Sequence, residues 1–513
     1  VSDASSSPLD AWRVLSYAAL VCAAYVASAP AQSGGLSLQQ AIDSALAWSA
    51  QSQIAARQVR IGEGNLLAAA DPFDARLVTS VATARSNGYA ASPPADVGAI
   101  STSVVTASVG LTRRFRFGVE LTPHADVLRN EIAGDPATAG ARAVVGLDAT
   151  VPLLRDRGWG ITSAGERAAR HTYDAACFAF RHAAAASAMT AVDAYWNYVA
   201  AAERLDVYRS SEARAERLVE DTRTLVGADE RPAADLPQLL ANLALKRAAR
   251  LAGEQAQVDA GERLALAMGT RNGVGVFTPP AATAFPVPGS GDSVPIATAF
   301  SLDDVLRRRA DLSALRATSA AAGVELRAAR DGLRPRLDLL LRAGYQGATS
   351  GRGLGGALAS VYSNVPGLDV SLQVDYELPL ASAAARGEAL RSAAALDQAS
   401  LRESDLVRAV TSGVFAARQA LDHGRSALMA SRDAVALSGE AVENERHKFA
   451  LGMSTLFDVI LAEDALTAAR LSEIAGQLAY ATAIARLRYE SGVLLEPGDA
   501  APTVSARSLM EAP

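Results

Sequence analysis

Asp369-Val370-Ser371-Leu372-Gln373-Val374-Asp375-Tyr376-Glu377-Leu378 alternates without a fault, with Val, Leu, Val, Tyr and Leu on one face and Asp, Ser, Gln, Asp and Glu on the other. Side chains leave a strand with a period of two, so this stretch reads as a strand with one greasy and one wet face. Its length matches the ~9–11 residues of a membrane-crossing strand. A half-buried strand of a water-soluble protein alternates in the same way, and periodicity alone leaves both readings open. Leu337 to Tyr345 supplies an antiparallel partner, with Leu337, Leu339, Leu341, Ala343 and Tyr345 sharing a face. Val144 to Val151 and Leu77 to Arg85 are weaker counterparts earlier in the chain. Four strands cannot close a barrel, because about eight is the smallest workable number. Closure then needs several chains, and three would give twelve strands.

The strands sit in a unit used twice. Leu36-Ser37-Leu38-Gln39-Gln40-Ala41-Ile42 reads like Phe300-Ser301-Leu302-Asp303-Asp304-Val305-Leu306, an offset of 264. Ala68 to Leu77 reads like Ala328 to Leu337 at an offset of 260, a deletion of one helical turn. Val151-Pro152-Leu153 against Leu378-Pro379-Leu380 is a third anchor. The boundaries expected are a leader over 1–31, a first repeat over 32–272, a Pro- and Gly-rich linker over 273–299, a second repeat over 300–494 and a tail over 495–513. Each repeat runs short helix, strands, long helix, turn, short helix. The helices are placed at 38–70, 160–226 and 235–268, then at 302–331, 385–451 and 456–491; the strand regions lie at about 77–152 and 337–380. The first strand region is much the longer and holds two further strand-like runs, Ser103 to Leu111 and Phe115 to Thr122. These are read as an elongated extracellular hairpin or a decoration of the barrel, not as barrel strands that would raise a trimer to eighteen.

Along the second long helix, Val407, Val414, Leu421, Leu428, Val435, Val442 and Phe449 stand seven residues apart. That period means a left-handed supercoil against partner helices. Val410, Ala417, Gly424, Ser431 and Ser438 flank this line and let two axes approach closely. Each long helix would reach ~100 Å, and two short helices end to end match one long one. Such a strip is too thin to bury its own core and needs neighbours.

The 513 residues are 50% apolar and 20% charged with a net charge of −6, which excludes a disordered tail and a phosphate-neutralising nucleic-acid binder. Two cysteines, Cys22 and Cys177, make no disulfide framework. Val14 to Ala31, behind Arg13 and ending Ala29-Pro30-Ala31, reads as a secretory signal peptide cut after Ala31. Asp3, Asp10 and the opening Val1 leave an uncleaved anchor or a mis-set start as alternatives. Beyond Ala31 no segment is apolar for the ~20 residues that a spanning helix requires.

Lys448 to Glu463, KFALGMSTLFDVILAE, resembles the helix-turn-helix signature of the TolC-like outer-membrane efflux proteins. So do Val151-Pro152-Leu153-Leu154-Arg155-Asp156-Arg157-Gly158, Tyr376-Glu377-Leu378-Pro379-Leu380 followed by Ala385-Arg386, and the tandem repeat openings. The likeness spans about Leu36 to Leu494. It implies an α+β membrane protein: a homotrimer whose twelve-stranded outer-membrane β-barrel continues into a long periplasmic α-helical barrel. It implies an exit duct joined to an inner-membrane pump through a periplasmic adaptor, with no catalysis and no cofactor. The adaptor-contacting tips would be Val226, Gly227 and Ala228, and Leu451, Gly452, Met453 and Ser454. Asp458 matches an acidic gate position. The second acidic position is Leu461 here, the basic residue expected near Ser454 is absent, and Glu463 is a possible substitute. Asp369, Asp375 and Glu377 would face the barrel lumen and favour cations.

Blander readings compete. Asp458 follows a turn and suits a helix cap. Gly351-Arg352-Gly353-Leu354-Gly355-Gly356 satisfies G-x-G-x-x-G, yet a polar extracellular loop is expected after it rather than a dinucleotide-binding helix. His124, His171, His182, His423 and His447 have no metal-ligand spacing. A periplasmic coiled-coil scaffold or adaptor without a pore would show similar helices, but it has no use for lipid-facing strands. Cargo stays open among drugs, metals and proteins.

Overall fold

The computed structural model describes residues 35–92, 96–132, 135–228, 232–270, 280–288, 301–350, 354–363, 367–496 and 502–511. The leader expected over 1–31, with Cys22, lies outside the described residues, as does most of the 273–299 linker. The chain divides into two compact units. One, of residues 1–58, 177–313 and 405–513, is helical; the other, of residues 59–176 and 314–404, holds the whole sheet with the helix segments leading into it.

The first repeat contains α1 (Leu38–Trp48), α2 (Ala50–Ala70), α3 (Ala164–Gly227) and α4 (Asp235–Ala267). The second contains α5 (Leu302–Arg308), α6 (Ala310–Asp331), α7 (Leu354–Ser363), α8 (Ala383–Ala450) and α9 (Leu456–Glu490). Ser37 and Ser301 start the two repeats as N-caps, their hydroxyls accepting from the Gln40 and Asp304 N–H groups. The first helix expected in each repeat, 38–70 and 302–331, is broken. Ser49 (φ −61°, ψ 137°) and Arg309 (φ −66°, ψ 114°) leave the helical region at matching places. Before the break α1 has 11 residues and α5 has 7, so the missing turn that shifts the repeat offset lies there.

Each break is closed by the far end of its own repeat. Gly269 after α4 (φ +67°) and Gly492 after α9 (φ +73°) take the left-handed conformation that glycine adopts without strain. A Cβ on Gly269 would fall 2.3 Å from the Trp48 carbonyl oxygen, and one on Gly492 3.3 Å from the Arg308 carbonyl carbon. Sixteen residues before these stand Gly253 and Gly476, each at a tight helix crossing. A Cβ on Gly253 would meet the Tyr208 ring at 2.8 Å, and one on Gly476 would meet Leu428 Cα at 3.2 Å. The seven-residue line on α8 faces this crossing: Leu421 and Leu428 are buried with Tyr480, Ile484 and Leu487 of α9.

The main core of the helical unit gathers around Tyr195 and Trp196, with Leu38, Ile42, Leu264, Ala481 and Ala485. Phe285 stacks on Trp196 at 5.3 Å between ring centroids, and Val504 and Leu509 are buried in the same cluster. Segments read as linker and tail therefore hold packed residues: apolar side chains there fill the core that α1, α3 and α9 leave open.

The sheet has six strands, not the four expected. They are β1 (Arg76–Ser92), β2 (Asp96–Arg114), β3 (Glu120–Ile132), β4 (Asp135–Pro152), β5 (Arg336–Thr349) and β6 (Leu368–Glu377). All neighbours are antiparallel, in the order β1-β2-β3-β4-β5-β6. The run Ser103 to Leu111 is the middle of a full-length strand and no decoration. The run Phe115 to Thr122 is mostly the turn that follows it, with β3 continuing to Ile132. Gly118 (φ +106°) makes that turn, and the Gly158 N–H donates to the Phe117 carbonyl at 3.1 Å. Pro123 hides β3 from a sequence reading, since proline lacks the N–H that a central strand needs. The β2–β3 ladder resolves this by running from Gly110↔His124 directly to Arg113↔Leu121. Three copies of such a sheet would bring eighteen strands, where the sequence reading expected twelve.

Candidate functional site

Two regions carry the predicted functional residues: the sheet, in one unit, and the turns between helices, in the other. The register aligns one apolar face across all six strands. Leu77 and Val81 of β1 share it with Val109 and Leu111 of β2, and Ala125 and Val127 of β3. It continues through Val145 and Leu147 of β4, Leu339 and Leu341 of β5, and Leu372 and Val374 of β6. Most of these side chains are exposed, Val81 at 81% and Leu372 at 66%. Burying that much apolar surface is worth ~25 cal/mol per Å², so a face this large marks a contact rather than a water-facing surface.

The opposite face is polar and carries both signs. Asp369, Asp375 and Glu377 lie on it as expected, with Asp375 accepting from the Gln373 amide at 2.7 Å. Arg336 lies opposite Glu377, and Arg342 approaches Asp148 at 3.8 Å. Sequence reasoning named the acids but not these arginines, which reach the same face through β5. Aromatic residues mark the helix-proximal end of the sheet: Phe115 and Phe117 stack at 5.4 Å, and Arg167 lies over the Trp159 ring.

At the second tip the turn from α8 to α9 is built by Gly452 (φ +71°), which lets the Met453 N–H donate back to the Lys448 carbonyl at 2.8 Å. Leu451, Met453, Phe457 and Leu461 are all exposed there. Phe457 and Leu461, one helical turn apart, share a face. At the first tip the Ala228 N–H donates to the Thr224 carbonyl at 3.1 Å, and Gly227 and Ala228 are exposed while Val226 is half-buried.

Asp458 completes a capping box at the start of α9, where Thr455 is the N-cap. The Thr455 N–H donates to Asp458 Oδ2 at 3.0 Å, the Thr455 hydroxyl donates to the same oxygen at 2.6 Å, and the Asp458 N–H returns to Thr455 Oγ1 at 3.3 Å. Those hydrogen bonds from Thr455 hold the Asp458 carboxyl below the usual range, with smaller help from Ser454 and Lys448. Ser454 also donates to Glu445, which pairs with Lys448 Nζ at 3.0 Å. Through Glu445, Lys448 in the last turn of α8 brings a basic group close to Ser454.

Glu463 is not a free acid. Arg214 Nε of α3 reaches it at 2.5 Å and Arg446 of α8 takes its other oxygen, while Lys246 of α4 pairs with Asp464. These three ion pairs join α9 to α3, α8 and α4, and none of the basic partners was legible from sequence spacing. They line a cleft of about 350 Å³ whose floor includes Phe449 and Ile460.

The second half of the G-x-G-x-x-G stretch, Leu354-Gly355-Gly356, opens helix α7, where a polar loop was expected; residues 351–353 lie outside the described ones. Dinucleotide binding still fails, because β5 and β6 on either side are antiparallel neighbours rather than parallel strands joined by a crossover. Among the described residues no cluster of His, Cys, Asp or Glu could hold a metal ion, and no helix is long and apolar enough to cross a membrane.

Burial pushes the Asp193 carboxyl on α3 up to about 6, against a small opposing pull from Arg486. Its folded form holds the proton more tightly than an unfolded chain. The stability it lends is full below the ordinary aspartate range and is lost as pH rises through about 6. Asp193→Asn should therefore stabilise the protein at pH 8 by about 1–3 kcal/mol and leave it unchanged near pH 4. Thermal melts at the two pH values check this, and an equal effect at both would contradict it.

Residues 301–493, essentially the second repeat, match the family model of the outer membrane efflux protein, which bears out the resemblance read from the motifs. The fold is similar to that of the Campylobacter jejuni CmeC outer membrane channel, with a TM-score of 0.65 at 13% identity over 89% of this chain and 85% of that one. It is also similar to the outer membrane protein VceC of Vibrio cholerae (TM-score 0.63, 16% identity, 89% and 96% covered). The MtrE outer membrane channel of Neisseria gonorrhoeae gives 0.61 at 17% identity, with 89% of each chain covered. Identities this low speak to fold. No curated protein sequence matches the chain.

Proposed function

We propose that this chain, an outer membrane efflux protein by its second repeat, forms a passive export duct. Copies of it close a barrel in the outer membrane, and the helical unit stands in the periplasm to meet an adaptor and an inner-membrane pump. The observation that carries this reading is the single apolar face shared by six strands and exposed in one chain. A bilayer is the solvent that would cover it, while the polar face with Asp369, Asp375 and Glu377 would line the lumen. A periplasmic scaffold without a pore leaves that face with no occupant.

Closure follows from strand directions. Six strands are too few to close alone, and with an even number the first and last run in opposite directions. A neighbour's β1 can therefore extend β6 antiparallel and continue the alternation. In the homotrimer implied by the family resemblance, the barrel has eighteen strands. Energy comes from the pump, so the chain itself performs no catalysis.

The exposed Leu451, Met453, Phe457 and Leu461 form the adaptor-facing end in this reading, with Val226, Gly227 and Ala228 from the first tip. Asp458 serves in the capping box of α9 and as the acidic constriction. Leu461 contributes an apolar collar in place of a second acid, and Glu463, neutralised by two arginines, contributes little charge. Planar-bilayer recordings of the reconstituted full chain test the duct: cation-selective conductance is expected, and a non-conducting soluble monomer would refute it. Asp458→Asn keeps a hydrogen-bond acceptor and removes the charge. It should weaken block by multivalent cations without unfolding α9; unchanged block would remove Asp458 from the constriction.

A further inference from the structure

The apolar face of the sheet is not bare along its whole height. Helix α7 lies on it, against β3, β4 and β5. Ala357 of the helix is fully buried with Val127, Ala141 and Ala143. A Cβ on Gly347 would fall 2.4 Å from the Ser360 backbone, and Gly347 stands directly opposite Ala143 in the register. Small residues of β4 and β5, with Val127 of β3 beside them, thus form a flat seat for one helix. The seat is on the face of Val145, Leu147, Leu339 and Leu372, so α7 is outside any barrel that turns this face to lipid.

We propose that α7 is an interfacial helix, seated on the outside of the barrel and covered by the acyl chains and headgroup region of the outer leaflet. The inference rests on the duct reading given above, and three observations support it. First, α7 has no charged residue, LGGALASVYS, and both of its serine hydroxyls are satisfied within the helix. Ser360 donates to the Ala357 carbonyl at 2.6 Å and Ser363 to the Ala359 carbonyl at 3.0 Å. That economy suits a medium that offers no hydrogen bonds. Leu358 and Tyr362 point away from the seat, Tyr362 at 94% exposure.

Second, its height is right. Ala143 stands nine residues from Pro152 at the helix-proximal end of β4, and a membrane strand spans ~9–11 residues. The same face turns charged at this level: along β3 the series Leu121, Pro123, Ala125, Val127 gives way to Arg129 and Glu131, paired at 2.9 Å. Along β1, Leu77, Thr79, Val81 and Thr83 give way to Arg85. Tyr362 would then sit at the bilayer–water boundary, where aromatic rings with a polar end concentrate.

Third, the seat excludes the other obvious occupant. β1 and β6 are the free edges where a second copy would pair, while α7 covers the middle of the sheet. It is therefore no plug for the joint between copies.

The test uses tryptophan reporters in the full chain, reconstituted into vesicles of phosphatidylcholine brominated at shallow or deep positions. Emission is read as the difference from the parent protein. Tyr362→Trp reports on α7, Leu372→Trp on the apolar face of β6, and Ser371→Trp on its polar face. Tyr362→Trp should lose its added emission by about twofold or more, most strongly with shallow bromines. Leu372→Trp should be quenched and Ser371→Trp should not. Quenching at Leu372→Trp without quenching at Tyr362→Trp would place α7 in water, overturning this inference and leaving the duct intact. No quenching at either would overturn both, and quenching at Tyr362→Trp alone would put the helix in lipid and sink the barrel.

Discussion

Arg309→Ala is expected to destabilise the helical unit by about 3–5 kcal/mol, the cost of stripping one partner from a buried charge network. Arg309 is 7% exposed at the break between α5 and α6. Its guanidinium reaches Asp311 Oδ2 at 2.6 Å and Glu490 Oε2 at 3.0 Å, donates to the Glu490 carbonyl at 3.2 Å, and lies over the Tyr489 ring. One planar fork thereby ties the start of the second repeat to the end of α9. Alanine would leave two half-buried carboxylates without it. Burial alone would raise the Asp311 carboxyl; Arg309, with smaller help from His182 and the Leu312 N–H, more than offsets this and holds it below the usual range. The contribution of Asp311 in the parent is present above the ordinary aspartate range and lost as pH falls through its depressed value. The gap between parent and variant should thus be widest at neutral pH and narrow in acid. Arg309→Lys keeps the charge but not the fork and should fall between them. Detergent melts of the full chain across pH read all three, and a parent-like Arg309→Ala would show that the network contributes nothing.

Gly476→Leu should be nearly as damaging. The Gly476 position lies 3.2 Å from Leu428 Cα and from Ser431 Oγ by a Cβ alone, and Leu428 is fully buried. A leucine must push α8 and α9 apart, at the upper end of the ~1–3 kcal/mol typical of overpacking. Gly476→Ala separates sterics from conformation. It needs a shift of a few tenths of an ångström but gains about 1 kcal/mol of helix propensity, so its melting point should stay near the parent's. Equal melting points for the two variants would mean that the helices do not meet at this glycine.

The regular parts of the fold were open to a sequence reading because local rules agree there. The seven-residue line on α8, the caps at Ser37, Ser301 and Thr455, and the alternation of β6 each express a single period or a single hydrogen bond. The rest needed distances between residues far apart in sequence. The breaks at Ser49 and Arg309 carry no proline or glycine, and they use different chemistry: the Ser49 hydroxyl meets Ser187 at 3.0 Å where Arg309 uses ion pairs. Pro123, with no N–H to give a central strand, sits inside β3 and masks it. The glycine-rich stretch that runs into α7 suggested a loop, although small residues on the sheet beneath give a helix its seat. Among the predicted site residues, Asp458 takes part in capping, as its position after the turn suggested, but as partner to the Thr455 cap. Glu463 looked like a spare acid until Arg214 and Arg446 were seen to reach it.

Labelling of β6 tests the central claim most directly, because both faces of this strand are open in a single chain. Single cysteines would replace residues 369 to 376 one at a time in a background of Cys22→Ser and Cys177→Ser, in intact membranes with a membrane-impermeant maleimide. The account predicts a period of two: label at Ser371, Gln373 and Asp375, from the water of the lumen, and none at Val370, Leu372 and Val374, which lipid would cover. Equal labelling on both faces would contradict it.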